Sequence, residues 1–193
     1  MDFIQLSELI GIGGLIMWAF TERGFTLLNQ QQKDGVRESA VSYWLISLFW
    51  YGTMIYAFLD IWNMGWTDFD SNLIILRGLG ILLVGFGVTL RFISRRVLGK
   101  YYSAHVETSG QHQLVTDNIY GKVRHPAYLG LMCLFLGIPL SLGSWGAVGI
   151  AMLGGLPAMI YRIKIEEQSL LKWFGQEYAE YIQKTWKLIP YIW

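Results

Sequence analysis

Charged residues are scarce in this chain: 15 Lys or Arg and 14 Asp or Glu make up 15% of its 193 residues. Soluble domains carry about 25% charged residues, so the composition excludes an ordinary water-soluble enzyme. The net charge of +1 excludes a basic nucleic-acid-binding protein, and no nucleic-acid partner is expected. Cysteine occurs once, at Cys133, which excludes an internal disulfide and a cysteine-based metal cluster.

Hydrophobic residues are abundant instead, at 53% of the sequence, together with 22 glycines and 9 tryptophans. Gly and Trp are frequent in transmembrane helices and at their borders, and so hydrophobic a composition excludes a disordered chain. We predict an all-α integral membrane protein that forms one membrane domain over residues 1–193. No basic segment precedes the first apolar stretch, so we expect no cleaved signal peptide.

Five apolar stretches are candidates for membrane-spanning helices, which need about 17–25 apolar residues each. No charged residue occurs over residues 39–59 or over residues 126–161. The second run is too long for one helix, and its turn-rich tetrapeptide at residues 141–144 predicts a break there. The predicted spans are approximately residues 3–21, 39–61, 72–92, 126–142 and 145–162.

All but one of the basic residues lie in three segments, residues 22–38, 91–124 and 162–187. Five spans place these segments on one side of the membrane, which the positive-inside rule makes the cytoplasmic side. We therefore predict an external N-terminus, a cytoplasmic C-terminus and a cytoplasmic active site formed by residues 93–125 and 163–193. Segments of this length are usually functional or disordered, and their interleaved aliphatic residues argue against disorder.

The first cytoplasmic segment leads into the motif Arg-His-Pro-Ala-Tyr at residues 124–128. Pro126 suits the first turn of a helix, where its missing N–H costs nothing. The free N–H groups of that turn attract an anion, and Arg124 adds a forked donor for a carboxylate or phosphate. The motif by itself fits equally well an interfacial anchor at Arg124 and a capping role for His125.

The second segment carries Arg162 and Glu166, which are four residues apart and therefore share one helix face. Charges near the bilayer are costly unless they are paired or functional. The alternative is an ordinary surface ion pair, worth about 0.3–0.5 kcal/mol. His112 alone indicates no more than a solvated loop histidine. The sequence has no set of residues with metal-ligand spacing, so no metal site is predicted.

An ordered set of motifs fills the second half of the chain. The set comprises Gln-His-Gln-Leu-Val-Thr-Asp-Asn-Ile-Tyr at 111–120, Arg-His-Pro-Ala-Tyr at 124–128, the pair Glu166 and Glu167, Phe-Gly-Gln-Glu-Tyr-Ala-Glu-Tyr at 174–181, and Pro190. This order and spacing resembles the isoprenylcysteine carboxyl methyltransferase family over roughly residues 90–190. The first two spans match that family only in being hydrophobic.

This resemblance implies a membrane enzyme that uses S-adenosyl-L-methionine and releases S-adenosyl-L-homocysteine. It implies a cofactor site made of His112, Leu114, Val115, Tyr120, Arg124, His125, Pro126, Tyr128, Glu166 and Glu167. It also implies that Arg162 and Glu166 are catalytic, because the family has an Arg and a Glu four residues apart on its last membrane helix. The expected acceptor is a prenylcysteine carboxylate or another lipophilic molecule in the membrane, and the oligomeric state stays open.

The chemistry of these residues agrees with such a cofactor. Arg124 and His125 can bind its anionic part, and Glu166 or Glu167 its cationic part. Tyrosine faces can stabilise a sulfonium by about 0.5–2 kcal/mol. Methyl transfer from a sulfonium to an anion neutralises both charges, so a low-dielectric pocket destabilises the reactants more than the transition state.

Three other functions fit parts of the sequence. A sterol-type membrane reductase shares the His-Pro-x-Tyr and Phe-Gly-x-x-Tyr elements, and would bind NADPH with Lys122 and Arg124 at its 2′-phosphate. A phospholipid N-methyltransferase would use the same cofactor with an amine as acceptor. A membrane scaffold without enzymatic activity would dock a partner through its charged segments. The stretch His-x-Leu-Val at 112–115 and the pair Glu166 and Glu167 favour the methyltransferase.

Overall fold

The structure is a computed structural model that describes residues 4–13, 16, 37–68, 73–99 and 114–193. Its helices are α1 (Ile4–Gly13), α2 (Arg37–Leu59), α3 (Ile74–Leu98), α4 (Pro126–Leu142), α5 (Trp145–Ile150), α6 (Leu156–Phe174) and α7 (Gln176–Lys184). A π-helical turn, Asp60–Met64, extends α2, and another, Ala151–Gly155, joins α5 to α6. A short 3-10 helix, Asn118–Gly121, precedes α4.

Three of these helical segments are long and apolar enough to cross a membrane: Val41–Trp62, Ile74–Leu98 and Trp145–Phe174. Helices α1 and α4 are apolar but shorter. For the part of the chain that the structure describes, the prediction of an all-helical integral membrane protein is confirmed. The count of five spans stays a prediction, because most of residues 14–21 lie outside the described residues and α4 has only 17 residues.

The chain turns between α4 and α5 within the tetrapeptide that the sequence marks as a break. Gly143 has a φ of 86°, in the left-handed region that glycine adopts without steric cost. The Ser144 hydroxyl then caps α5 by accepting from the Ala147 N–H at 3.3 Å. The helix continues from α5 through the π-helical turn, which ends two residues before Pro157, a residue that has no N–H to donate.

Helices α3 and α4 run antiparallel and touch through pairs of glycines. A Cβ added to Gly137 would lie 2.9 Å from the carbonyl oxygen of Gly80, and one added to Gly130 would lie 2.8 Å from that of Gly87. Small residues allow such close backbone approach between membrane helices. This register places Arg91 beside the first turn of α4, where its Nη1 donates to the Ala127 carbonyl at 3.3 Å.

The core lies where α2, α4 and the α5–α6 segment meet. Phe135 is fully buried, and its ring packs edge-on against Trp50 with the centroids 4.7 Å apart. Ala147 and Ala151 are also fully buried, and a Cβ on Gly155 would overlap the Phe135 ring. The small-residue face of the α5–α6 segment therefore serves packing inside this chain.

A buried carboxylate holds the end of α2 in place. Asp60 is fully buried, and its Oδ2 accepts from the Ser144 hydroxyl at 2.5 Å and from the Thr67 hydroxyl. Its Oδ1 accepts from the Thr67 N–H at 3.0 Å. Buried polar groups require such partners, so Asp60 ties the segment after α2 to the turn between α4 and α5.

The glycine contact predicts a selective effect on stability. Gly87→Val should destabilise the protein by about 1–3 kcal/mol, because the added side chain would overlap the Gly130 carbonyl. Gly85→Val is the matched control, since a Cβ at Gly85 meets no atom within 4 Å. Thermal unfolding in detergent measures both variants, and equal melting temperatures would contradict this packing.

Candidate active site

The two segments predicted to be cytoplasmic meet beside the first turn of α4. The Arg124 N–H donates to the Trp186 carbonyl at 2.8 Å, and the His125 N–H donates to the Lys187 carbonyl at 3.1 Å. In return, the Trp186 N–H donates to the Lys122 carbonyl at 2.9 Å. The chain after α7 therefore runs alongside residues 122–125 and delivers its side chains to the same place.

Glu167 on α6 is the centre of this meeting point. Its Oε1 lies 3.0 Å from Arg124 Nε and 3.3 Å from His125 Nε2. Its Oε2 lies 2.8 Å from Lys187 Nζ. Hydrogen bonds between charged groups are about twice as strong as neutral ones. Glu167 therefore joins α4, α6 and the C-terminal segment through one carboxylate.

Arg124 also binds the end of α7. Its Nη1 donates to the carbonyl oxygens of Thr185 at 2.5 Å and Ile182 at 3.1 Å. The side chain is almost fully buried, so the alternative of an interfacial anchor does not describe it. Two of its three guanidinium nitrogens contact protein atoms, which makes Arg124 an organising residue of the site.

The other predicted pair, Arg162 and Glu166, is bridged by a tyrosine. The Tyr128 hydroxyl donates to Glu166 Oε2 at 2.6 Å and accepts from Arg162 Nε at 3.3 Å. Arg162 Nη1 donates in turn to the Ser42 hydroxyl on α2 at 2.9 Å. Arg162 is only 3% exposed, which excludes the alternative of a solvent-exposed ion pair.

His125 lies between the two glutamates. Its Nδ1 is 3.9 Å from Glu166 Oε1, while its Nε2 faces Glu167. The imidazole also packs edge-on against the Tyr128 ring, with the centroids 5.8 Å apart. The site therefore combines two carboxylates, several basic groups and aromatic faces at the start of α4.

Two tyrosines of α7 close the site from the C-terminal side. The Tyr181 hydroxyl donates to the Tyr120 carbonyl at 2.7 Å, and its ring centroid is 5.8 Å from that of Tyr178. Burial raises the pKa of Tyr181 to about 12. Burial also raises the pKa of Tyr178, and the charges of Glu167 and Glu166 raise it further. Both phenols therefore keep their protons at physiological pH.

Most of the predicted site residues come together in the structure. Hydrogen bonds and ion pairs, with Tyr181 as the link to Tyr120, connect Tyr120, Arg124, His125, Tyr128, Arg162, Glu166 and Glu167. Pro126 occupies the first turn of α4. Leu114 and Val115 are half-buried before the 3-10 helix, and Val115 lines a cavity of about 580 Å³ with Phe92 and Arg96 of α3. His112 lies outside the described residues.

Three contributors to the site have no signal in the sequence. Lys187 follows α7, Thr185 accepts from Arg124 only because the chain turns back after α7, and Ser42 is on α2. Tyr178 and Tyr181 belong to the motif Phe-Gly-Gln-Glu-Tyr-Ala-Glu-Tyr at residues 174–181, which indicated this region without defining their roles. Among the described residues, no three His, Cys, Asp or Glu side chains converge as a metal site.

Known proteins are similar to this chain. The family model for phospholipid methyltransferases matches residues 75–177. The chain is 33% identical over 128 residues to the protein-S-isoprenylcysteine O-methyltransferase of Saccharomyces cerevisiae, covering 59% of this chain and 48% of that protein. It is 32% identical over 119 residues to the Tribolium castaneum protein of the same name, covering 61% and 42%. The chain spans about half the length of these relatives.

A solved structure shows the same fold. The structure of a eukaryotic intramembrane Ras methyltransferase, isoprenylcysteine carboxyl methyltransferase, matches with a TM-score of 0.59 and 24% identity, covering 98% of this chain and 74% of that one. The helices and the polar site at the start of α4 define a helical integral membrane protein with a candidate active site. The chain belongs to the phospholipid methyltransferase family, and the predicted resemblance to isoprenylcysteine carboxyl methyltransferases is confirmed.

The contacts of Glu167 predict that the C-terminal segment stabilises the site. Lys187→Met should lower the stability of the protein by about 1–2 kcal/mol, because it removes a charged hydrogen bond to a largely buried carboxylate. Lys184→Met, at an exposed position of α7, is the control. Thermal unfolding of both variants in detergent measures the difference. The same small effect in each would show that the contact between Lys187 and Glu167 does not stabilise the site.

Proposed function

We propose that this chain transfers the methyl group of S-adenosyl-L-methionine to a lipophilic acceptor at the cytoplasmic face of a membrane. The observation that carries the proposal is the partly buried series of contacts Arg162–Tyr128–Glu166 beside Glu167, in a member of the phospholipid methyltransferase family. Relatives named protein-S-isoprenylcysteine O-methyltransferases support a prenylcysteine carboxylate, or a molecule like it, as the acceptor.

The donor set of the site fits the proposed cofactor. S-adenosyl-L-methionine carries a carboxylate, an ammonium, a polar nucleoside and a sulfonium that supplies the methyl group. His125 and the first turn of α4 after Pro126 suit the anionic part, and the carboxylate of Glu166 suits the cationic part. The packed rings of His125 and Tyr128 offer aromatic surface to a sulfonium.

Arg124 and Glu167 act in this proposal by holding the site together as well as by their charge. Arg124 binds Glu167 and the carbonyl groups at the end of α7 at the same time. Glu167 in turn fixes His125 at the start of α4. The two residues therefore keep the cofactor-binding groups of α4 and α6 in register, as preorganisation of a binding site requires.

We assign Arg162 to the acceptor. Its guanidinium is buried and is held by Tyr128 and Ser42, so it presents a fixed cation to a carboxylate. Alignment of an anionic acceptor with the methyl group is the main requirement of the reaction, because a carboxylate needs no base. For a phenol, amine or thiol acceptor, Glu166 would remove the proton.

The membrane is the expected source of the acceptor. The chain after α7 runs alongside residues 122–125 on one side of the site, so we expect a lipophilic acceptor to enter sideways from the lipid between helices. A site at the cytoplasmic face, with the N-terminus outside, follows from the distribution of basic residues. If only water-soluble acceptors are methylated by protein in liposomes, lateral entry is wrong.

A second acceptor class is favoured by the family model itself, which describes phospholipid methyltransferases. An amine headgroup would use the same cofactor groups and would require Glu166 as the base. Radiolabelled methyl transfer to an S-farnesylcysteine analogue and to phosphatidylethanolamine vesicles distinguishes the two classes. Labelling of the analogue alone supports the carboxylate acceptor, and labelling of the vesicles alone supports the amine.

The identity of the cofactor can be tested by binding. Calorimetric titration of detergent-purified protein should show binding of S-adenosyl-L-homocysteine and none of NADPH, because Arg124, the expected partner of the 2′-phosphate, is bound to Glu167 and to the end of α7. The reverse result would assign the protein to the sterol-type reductases and make Glu166 a structural residue.

The role of Glu166 predicts the behaviour of an isosteric variant. Glu166→Gln keeps an acceptor for the Tyr128 hydroxyl but removes the charge, so methyl transfer should fall by about 100-fold or more if an acceptor proton must be removed. With a carboxylate acceptor the loss should appear mainly as weaker cofactor binding. Glu180→Gln, at an exposed position of α7, is the matched control.

Initial rates with radiolabelled cofactor and the farnesylcysteine analogue, measured over a range of cofactor concentrations, separate kcat from KM for both variants. Wild-type kcat and KM in Glu166→Gln would remove this residue from the reaction.

A further inference from the structure

Two neighbouring tyrosines of α7 differ in what their hydroxyl groups contact. The Tyr181 hydroxyl donates to the Tyr120 carbonyl at 2.7 Å, so it has a structural partner. Tyr178 is 1% exposed, and its hydroxyl has no hydrogen-bond partner in the described part of the chain. The two tyrosine rings pack against each other, but only the Tyr181 hydroxyl has a hydrogen-bond partner among the described residues.

Folding alone gives no reason for the Tyr178 hydroxyl. Buried tyrosine hydroxyls usually find a hydrogen-bond partner, and burying a hydroxyl without one destabilises the folded protein. A phenylalanine at this position would pack the same ring against Tyr181 without that cost. The missing partner is therefore expected to be a molecule that binds here.

The position of Tyr178 narrows the choice of that molecule. Its ring packs against Tyr181, whose hydroxyl holds Tyr120 just before the Arg-His-Pro motif. The Arg124 guanidinium joins Glu167 to the Ile182 carbonyl, which is four residues after Tyr178 on α7, so Tyr178 lies within about one helical turn of the Glu167 contacts. Carboxylates and a phenol oxygen together favour a ligand that offers N–H or O–H groups.

We propose that the Tyr178 hydroxyl is a binding group for the methyl donor and hydrogen-bonds an ammonium or ribose hydroxyl of the molecule held at Glu166 and Glu167. This assignment rests on the proposed function. The assignment adds to the site a residue of α7, whereas Tyr181 on the same helix has a structural role through its hydrogen bond to Tyr120. Tyr178 then binds the ligand, and Tyr181 stabilises the fold.

The matched variants Tyr178→Phe and Tyr181→Phe test the assignment. Calorimetric titration with S-adenosyl-L-homocysteine should show about 10-fold weaker binding for Tyr178→Phe, the loss of about one hydrogen bond. Without ligand, the melting temperature of this variant should equal or exceed that of the wild type, because only an unpaired hydroxyl is lost. Tyr181→Phe should melt at a lower temperature and bind within about two-fold of the wild type, since it loses the bond to Tyr120.

A second ligand shows which part of the donor the hydroxyl contacts. 5′-Methylthioadenosine lacks the amino-acid part, so a loss with S-adenosyl-L-homocysteine alone assigns the contact to the ammonium. A loss with both ligands assigns it to the ribose, and either result supports the proposal.

Equal affinity of Tyr178→Phe and wild type for S-adenosyl-L-homocysteine would overturn the assignment while leaving the proposed function intact. A lower melting temperature with unchanged affinity would show that the hydroxyl is structural. Absence of binding by the wild type itself would overturn the proposed function and this assignment with it.

Discussion

The carboxylate of Glu167 is the contact on which the rest of the site depends. It receives Arg124 and His125 from the start of α4 and Lys187 from the C-terminal segment. Breaking a buried ionic contact by removing one partner is costly, because the remaining charge is left unpaired. The start of α4, helix α6 and the C-terminal segment are therefore held together by the charged contacts of Glu167. Glu166, one residue away on α6, is placed beside Tyr128 as a consequence.

The helices carry two polar clusters, this site and the cluster around Asp60, and apolar packing lies between them. Asp60 with Thr67 and Ser144 joins the opposite end of α2, whereas Ser42 at its beginning contacts Arg162. Between them, glycine contacts between α3 and α4 and the packing of Phe135 bring the helices close. Polar groups in such a chain are confined to places where they find partners, because lipid offers none.

Much of the fold could be predicted because its signals are local. Uninterrupted apolar stretches indicate helices, and Gly143 and Ser144 supply the left-handed turn and the cap that separate α4 from α5. The proximity of Arg162 and Glu166 could be predicted because a helix places residues four apart on one face. The expected ion pair is nevertheless built around the Tyr128 hydroxyl, a contact across 34 to 38 residues that helix periodicity does not reveal.

The class of protein, the approximate helices and the motifs that resemble one methyltransferase family could be read from the amino-acid sequence alone, since each depends on composition or on short spacing. The folded structure was needed to show that Ser42 holds Arg162 across 120 residues and that Arg124 binds the end of α7. It was also needed to show that the Tyr178 hydroxyl has no partner among the described residues, whereas the Tyr181 hydroxyl has one. Such partners are chosen by how the helices pack and where the chain returns after α7. The identity of a polar residue does not reveal its distant partner, because any suitable donor or acceptor that the fold brings within reach in a dry interior can form the hydrogen bond.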